Sequence, residues 1–79
     1  MNNKEKYDNV FIEIFSVPHG VLNDGFVYQC VSQWDSVGHM AMIAALEEAF
    51  DIMMETEDII EFSSYTVGME ILKKYGIEI

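Results

Sequence analysis

Residues 36–50, Ser-Val-Gly-His-Met-Ala-Met-Ile-Ala-Ala-Leu-Glu-Glu-Ala-Phe, run without a proline and contain one weak helix former, Gly38. Asp35 precedes them and is suited to capping a helix. Projected at about 100° per residue, the helix they predict has two distinct faces. Met42, Ile43, Leu46 and Phe50 fall on one, with Ala45 and Ala49 beside them. Val37, Met40, Ala41 and Ala44 fall on the other, which ends in Glu47, Glu48 and Asp51. The chain has 79 residues, and a domain of that size buries only about 60–65% of its unfolded surface. Such a domain rarely buries a helix all round. The second face is therefore expected to be exposed, apolar near the helix start and acidic near its end.

The other elements follow from spacing and turn chemistry. Tyr7, Val10, Phe11 and Ile14 stand at i, i+3, i+4 and i+7, which predicts a first helix over 3–15 with one buried face. Pro18 and Gly20 end it, and turn formers continue through Asn23-Asp24-Gly25. Residues 16–35 then form a connection of about twenty residues, long for so small a domain and expected to be functional or to carry its own packing. Val21, Leu22, Phe26 and Val27 are expected to pin it to the core. Residues 26–31 read alternatively as a short strand, for which no partner is evident. Thr56 is placed to cap a short helix over 57–62, with Glu57 and Asp58 in its positive first turn. Ser63 or Ser64 caps a last helix over 65–75, with Val67, Ile71 and Leu72 on its apolar side, Lys73 and Lys74 near its end and Gly76 as the stop. The sum is one all-α domain over 1–79, a bundle of three main helices and a short third one.

With 51% apolar residues the chain is not of the hydrophobe-poor, disordered kind. Its formal charge is −10, and all four basic residues, Lys4, Lys6, Lys73 and Lys74, lie near the ends. The acidic middle excludes nucleic acid and anionic membrane as natural partners and favours proteins with a basic docking face. Cys30, the sole cysteine, has no internal disulfide partner, which fits a reducing compartment. No signal-peptide core opens the chain, and no charge-free run is long enough to span a bilayer. A cytoplasmic monomer is expected. So small a domain leaves little room for an enclosed cleft, and no metal set or base–nucleophile pair stands out, so an enzyme is not expected.

Ser36 falls in the first turn of the second helix, where free backbone N–H groups and the positive end of the helix dipole favour an attached phosphate. By itself, Asp35-Ser36 reads as a capping pair. The wider pattern is Asp35-Ser36, then Ala45-Leu46-Glu47-Glu48-Ala49-Phe50-Asp51-Ile52, then Thr66-Val67-Gly68. It resembles the acyl carrier protein family, the phosphopantetheine-binding carrier domains. That family shows Asp-Ser-Leu, a Leu-Glu-Glu-x-Phe run beginning ten residues after the serine, and Thr-Val at the last helix. The resemblance extends over the whole chain in length, helix order and charge, and is most specific from Trp34 to Phe50.

The resemblance implies an acyl-carrier-protein-like four-helix bundle in which Ser36, with Asp35 beside it, bears a 4′-phosphopantetheine arm taken from coenzyme A. A separate Mg²⁺-dependent phosphopantetheinyl transferase would attach it, and acyl or aminoacyl groups would ride on its thiol as thioesters. The partners implied are acyl-activating and acyl-transferring enzymes with basic faces, gripping Val37, Met40, Ala41, Ala44, Glu47, Glu48 and Asp51. Val37 replaces the family's usual leucine, and Ala41 and Ala44 stand where fatty-acid carriers often have a glutamate and a larger apolar residue. Trp34, with Gly38-His39-Met40 after the serine, looks more like stand-alone carriers of polysaccharide-modifying or secondary-metabolite pathways. D-alanyl or other aminoacyl cargo competes with fatty or polyketide cargo. The rival from another class is an acidic helical interaction module that never receives an arm.

Other residues are read structurally. His39 projects near the core-side face beside Met42 and Ile43 and is expected to pack at the face boundary. Cys30, His39 and Asp35 do not have the spacing of a nucleophilic triad. The acids between Glu47 and Glu61 lack the ligand pattern of an EF-hand and read as a solvated docking face. Met40, Met42, Met53 and Met54 are expected to fill packing gaps, some of them lining a groove for an acyl chain. Trp34 is expected to pack the end of the long connection against the second helix.

Overall fold

A computed structural model describes residues 2–79. Among the described residues four α-helices follow one another: α1 (Asn3–Phe15), α2 (Ser36–Phe50), α3 (Thr56–Glu61) and α4 (Tyr65–Lys73), with one 3₁₀ turn at His19–Val21. The domain is all-α, and among the described residues no helix is long and apolar enough to cross a membrane.

Each helix begins and ends for a local reason. The Asn2 side chain accepts the Glu5 N–H at 2.8 Å and caps α1, which stops where Ser16 turns left-handed (φ 53°), two residues before Pro18. Asp51 does the same at the end of α2 (φ 53°), and the Ile52 N–H closes back onto the Glu47 carbonyl at 3.0 Å. Helix α3 begins one residue earlier than the sequence predicts. Thr56 is its first residue, and Glu55 stands at the N-cap without a side-chain capping bond. What holds that end is the Tyr75 hydroxyl, which accepts the Glu55 N–H at 2.9 Å. Ser64 caps α4 by accepting the Val67 N–H at 3.0 Å. The helix ends at Lys73, short of the expected 75, because the chain tightens there: the Lys74, Tyr75 and Gly76 amides each reach back three residues, and Gly76 (φ 80°) closes the turn.

The core is built on rings. Phe11, fully buried, lies 5.0–6.2 Å centroid to centroid from Tyr7, Phe15, Phe26, Trp34, Phe62 and Tyr65. Met42, Ile43 and Leu46 of α2 and Ile71 and Leu72 of α4 complete it. On α1 the buried stripe runs through Tyr7, Val10, Phe11 and Phe15, whereas Ile14 is only partly buried. A Cβ on Gly68 would lie 2.1 Å from the Phe62 ring and 2.3 Å from the Tyr7 hydroxyl, so α4 approaches these rings across bare backbone. The Tyr7 hydroxyl donates to the Tyr65 carbonyl, and burial pushes the phenol pKa far up.

Several expectations about the connections change. Phe26 is buried and Leu22 half-buried, but Val21 and Val27 are more than a third exposed. Residues 26–31 make no strand; they make one antiparallel bridge, Val27 to Ser64, closed by Tyr28 N–H to Ser63 C=O and Tyr65 N–H to Phe26 C=O, each 2.9 Å. The partner that local pattern could not show is the cap of α4. Val67 is 37% exposed because α4 turns Gly68, Ile71 and Leu72 inward instead. Of the four methionines expected to pack, Met42 and Met54 are buried, while Met53 (84%) and Met40 (53%) face solvent.

Candidate functional site

The start of α2 is assembled by the turn before it. Trp34, fully buried, anchors that turn, with its amide on the Val31 carbonyl at 3.1 Å and its carbonyl taking the Gln29 N–H at 3.1 Å. Gln29 adopts a left-handed backbone (φ 67°) to allow this. Asp35 then caps α2, its Oδ1 accepting the Gly38 N–H at 2.8 Å. A Cβ on Gly38 would sit 1.9 Å from the Gln33 carbonyl oxygen, so the first turn of α2 lies directly on this turn. Gly38, a weak helix former by propensity, is here because nothing larger fits.

Ser36 is exposed at the first position of α2, and no hydrogen bond among the described residues engages its hydroxyl. It stands at the rim of a groove of about 330 Å³ between α2 and α3. Ser36, His39 and Met40 line one side; Ile59, Ile60 and Phe62 line the other; Tyr28 and Ser63, joined by their backbone bond, close one end. Among the described residues, no carboxylate or ammonium group lines it.

His39 forms part of the groove and is anchored at both ring nitrogens. Trp34 Nε1–H donates to its Nδ1 at 3.0 Å, and its Nε2 lies 2.8 Å from the Ile59 carbonyl oxygen. The imidazole stacks on the Trp34 ring (6.2 Å, 13°) and meets the Tyr28 and Phe62 rings edge-on. His39 is thus engaged by Trp34 and Ile59, Asp35 by its cap, and Cys30 is an exposed free thiol. Among the described residues, no group of three or more His, Cys, Asp or Glu side chains is placed to hold a metal ion.

The outward face of α2 carries Val37 (77% exposed), Met40, Ala41, Ala44, Glu48 and Asp51 in solvent. Glu47 departs from them. It is half-buried, and its Oε2 accepts the Met54 N–H at 2.9 Å, tying the connection between α2 and α3 back onto α2. The structure adds Ile60, 75% exposed across the groove from Met40. The signal for it was present in the sequence: Ile59 and Ile60 are adjacent in a one-and-a-half-turn helix, where neighbours about 100° apart do not share one buried face.

A second polar site lies at the α1–α4 seam. Asp8 is buried and receives the Tyr65 hydroxyl at 2.5 Å, Lys4 Nζ at 2.9 Å and His19 Nε2 at 3.0 Å. Burial pushes its carboxyl pKa up, but the bonds from Tyr65, Lys4 and His19 outweigh this and hold it below the usual range. Burial, then the bond to Asp8, raises the Tyr65 phenol. Asp58 on α3 is likewise held low by Lys74 (2.6 Å) and Tyr75 (2.5 Å) at the end of α4. No family model matches the chain, and comparison with curated proteins and with solved structures gives no match.

Proposed function

We propose that this chain is a carrier domain with the acyl-carrier-protein fold, and that Ser36 is its point of attachment for 4′-phosphopantetheine. The observation that carries the reading is the juxtaposition of a free, exposed serine hydroxyl at the first turn of α2 with an apolar groove opening beside it. The residues present fit the group. The Gly38 N–H is taken by Asp35, and the remaining free backbone N–H groups of the first turn of α2 would donate to a phosphate on Ser36 Oγ, whose hydroxyl the cap leaves unengaged. When bound, the arm supplies a thiol on which acyl groups are held as thioesters.

The protein's own part is to present, shelter and deliver. The uncharged lining of the groove favours an acyl cargo over an aminoacyl one, whose ammonium would find no counter-charge there. Val37, Met40 and Ile60 surround the serine with exposed apolar surface, and Glu48 and Asp51 continue that surface with negative charge. Enzymes with basic docking faces would meet it quickly and release it quickly, with a strong dependence on salt.

The test is intact mass after incubation with coenzyme A, Mg²⁺ and a broad-specificity phosphopantetheinyl transferase, alongside Ser36→Ala. A gain of one phosphopantetheine on the wild type alone is expected. No gain on folded protein overturns the reading and leaves the second one, an acidic interaction module. The feature favouring that module is the same exposed patch of Val37, Met40 and Ile60, which needs no arm to bind a partner.

A further inference from the structure

Methionine gives the groove beside Ser36 a wall with chemistry that leucine would not have. Met42 and Met54 are closed in the core, whereas Met53 and Met40 are more than half exposed. Met53 lies on the connection between α2 and α3 and is no part of the groove lining. Met40 is part of it. It follows Ser36 by four residues on α2, about one helical turn, and so shares its face. Together with Ile59, Ile60 and Phe62 it supplies apolar surface to the groove. It does not belong to the hydrophobic core beneath. The Met40 side chain therefore meets both solvent and whatever enters the groove, and the core does not rest on it.

A thioether is open to oxygen transfer. A hydroperoxide delivers one oxygen to the sulfur: the O–O bond breaks, an S–O bond forms, and the proton of the transferred hydroxyl passes to the departing oxygen. The two electrons given up by sulfur reduce the hydroperoxide to an alcohol, or hydrogen peroxide to water. The product is a sulfoxide, polar and chiral where the thioether was apolar and flexible. At Met40 it has two places to go. Left in the groove, its S=O sets an acceptor against Ile59, Ile60 and Phe62. Turned into water, it takes the Met40 side chain off the wall. In both cases an apolar ligand loses surface on which to bury itself. Methionine sulfoxide reductases reverse the change with two electrons from a dithiol, and the oxygen leaves as water.

We propose that Met40 is a site of reversible sulfur oxidation by hydroperoxides and thereby a redox gate on the groove: the thioether admits a neutral apolar ligand, and the sulfoxide turns it away. What this means for a tethered acyl group rests on the carrier reading of Ser36. The gate itself does not, so its test uses the unmodified chain.

The experiment exposes the chain to graded hydrogen peroxide, removes the oxidant, and then measures the affinity of a neutral apolar dye, N-phenyl-1-naphthylamine. Peptide mass mapping assigns each added oxygen, and helicity is followed in parallel. Wild type, Met40→Leu, Met53→Leu and Cys30→Ser are compared, the last because an exposed thiol also takes up oxygen. Met40 and Met53 should oxidise while Met42 and Met54 stay intact. As the Met40 sulfoxide accumulates, wild-type affinity should fall about fivefold or more at constant helicity, the lower end of what an unpartnered polar group costs in an apolar site. Met53→Leu and Cys30→Ser should lose affinity as the wild type does, and sulfoxide reductases with a dithiol should restore it. Met40→Leu should bind the dye before and after peroxide alike, since leucine keeps the volume without the sulfur. No dye binding, a Met40 that resists peroxide, an unchanged affinity once Met40 is oxidised, a peroxide-sensitive Met40→Leu, or a loss that tracks unfolding overturns the proposal. Should Met40→Leu not fold, Met40→Gln decides: its amide brings polarity without any oxidant, so weakened binding by the untreated variant supports the gate and wild-type binding overturns it. Absence of a mass gain at Ser36 would leave every one of these outcomes readable.

Discussion

Two seams of this bundle are closed by opposite means. Between α1 and α4 the chain stacks rings around Phe11, lets α4 approach across Gly68, and closes the edge with a charged network in which Asp8 is gripped by Tyr65, Lys4 and His19. Between α2 and α3 there is a groove, spanned by the His39 contact with the Ile59 carbonyl and rimmed by exposed Val37, Met40 and Ile60. The first arrangement excludes water and is costly to open. The second leaves apolar surface where a ligand or partner can cover it. The two histidines follow the same division: His19 lies mostly in solvent against a carboxylate, and His39 is stacked on a buried indole. The lesson is that stability and surface for function reside in different seams, and substitutions should separate them.

The largest effect is expected at the closed seam. Phe11→Ala removes the ring on which the others pack and should cost about 3–5 kcal/mol, read by chemical denaturation; a loss below about 1 kcal/mol would show that the core tolerates the cavity by collapsing. Gly38→Ala comes next. Its new methyl meets a backbone oxygen that has little freedom to move, and a loss of about 1–3 kcal/mol is expected, together with disturbance at Ser36. Val or Ala elsewhere on the open face should do nothing comparable.

Asp8→Asn sharpens the comparison through pH. Because the folded-state pKa of Asp8 is depressed, its stabilisation is full above the ordinary carboxyl value and is lost as pH falls through the folded one. The variant should be about 1–2 kcal/mol less stable than wild type at pH 7, discounted for the exposed Lys4 side chain. That gap should close as pH falls below about 4. A gap that stayed constant would mean the carboxylate charge is not what the network uses.

At the open seam the expected stability effects are small and the functional ones large. Glu48→Lys should slow loading by the transferase without altering the melting temperature, whereas Glu47→Lys should also destabilise the chain, because Glu47 holds the Met54 amide. Equal behaviour of the two would remove the distinction drawn here between a docking acid and a structural one. Ser36→Ala should lie within about 0.5 kcal/mol of wild type while abolishing loading. A collapse of the fold in this variant would make Ser36 structural.

Much of this was legible in local pattern. The bounds of α1 and α2, the cap at Asp35, a serine cap for α4 at 63 or 64, the two-faced character of α2 and the exposed placement of Ser36 follow from propensity, capping chemistry and periodicity, all of which act within a turn or two. The misses share a cause. Val27 pairs with Ser64, thirty-seven positions away; Tyr75 holds the start of α3 and makes a capping Thr56 unnecessary; Glu47 turns from the solvent face to a backbone amide beyond its own helix. None of these partners lies within the span of a helix turn. The groove was foreseen only as a role for some methionines, whereas its α3 wall is Ile59 and Ile60 and its anchor is His39.

By itself, the sequence determined that this chain is helical, where its long helices start and stop, and that one acidic, partly apolar face meets solvent with a serine at its head. Those properties depend on hydrogen bonds and side-chain spacing that repeat every few residues. The tertiary structure alone decided that Gly38 and Gly68 are there for close approach, that His39 bridges Trp34 and the Ile59 carbonyl, and that Ser36 opens onto a groove. Each of these depends on which atoms from distant parts of the chain come within a few ångströms of one another, and that is settled only when the whole core packs.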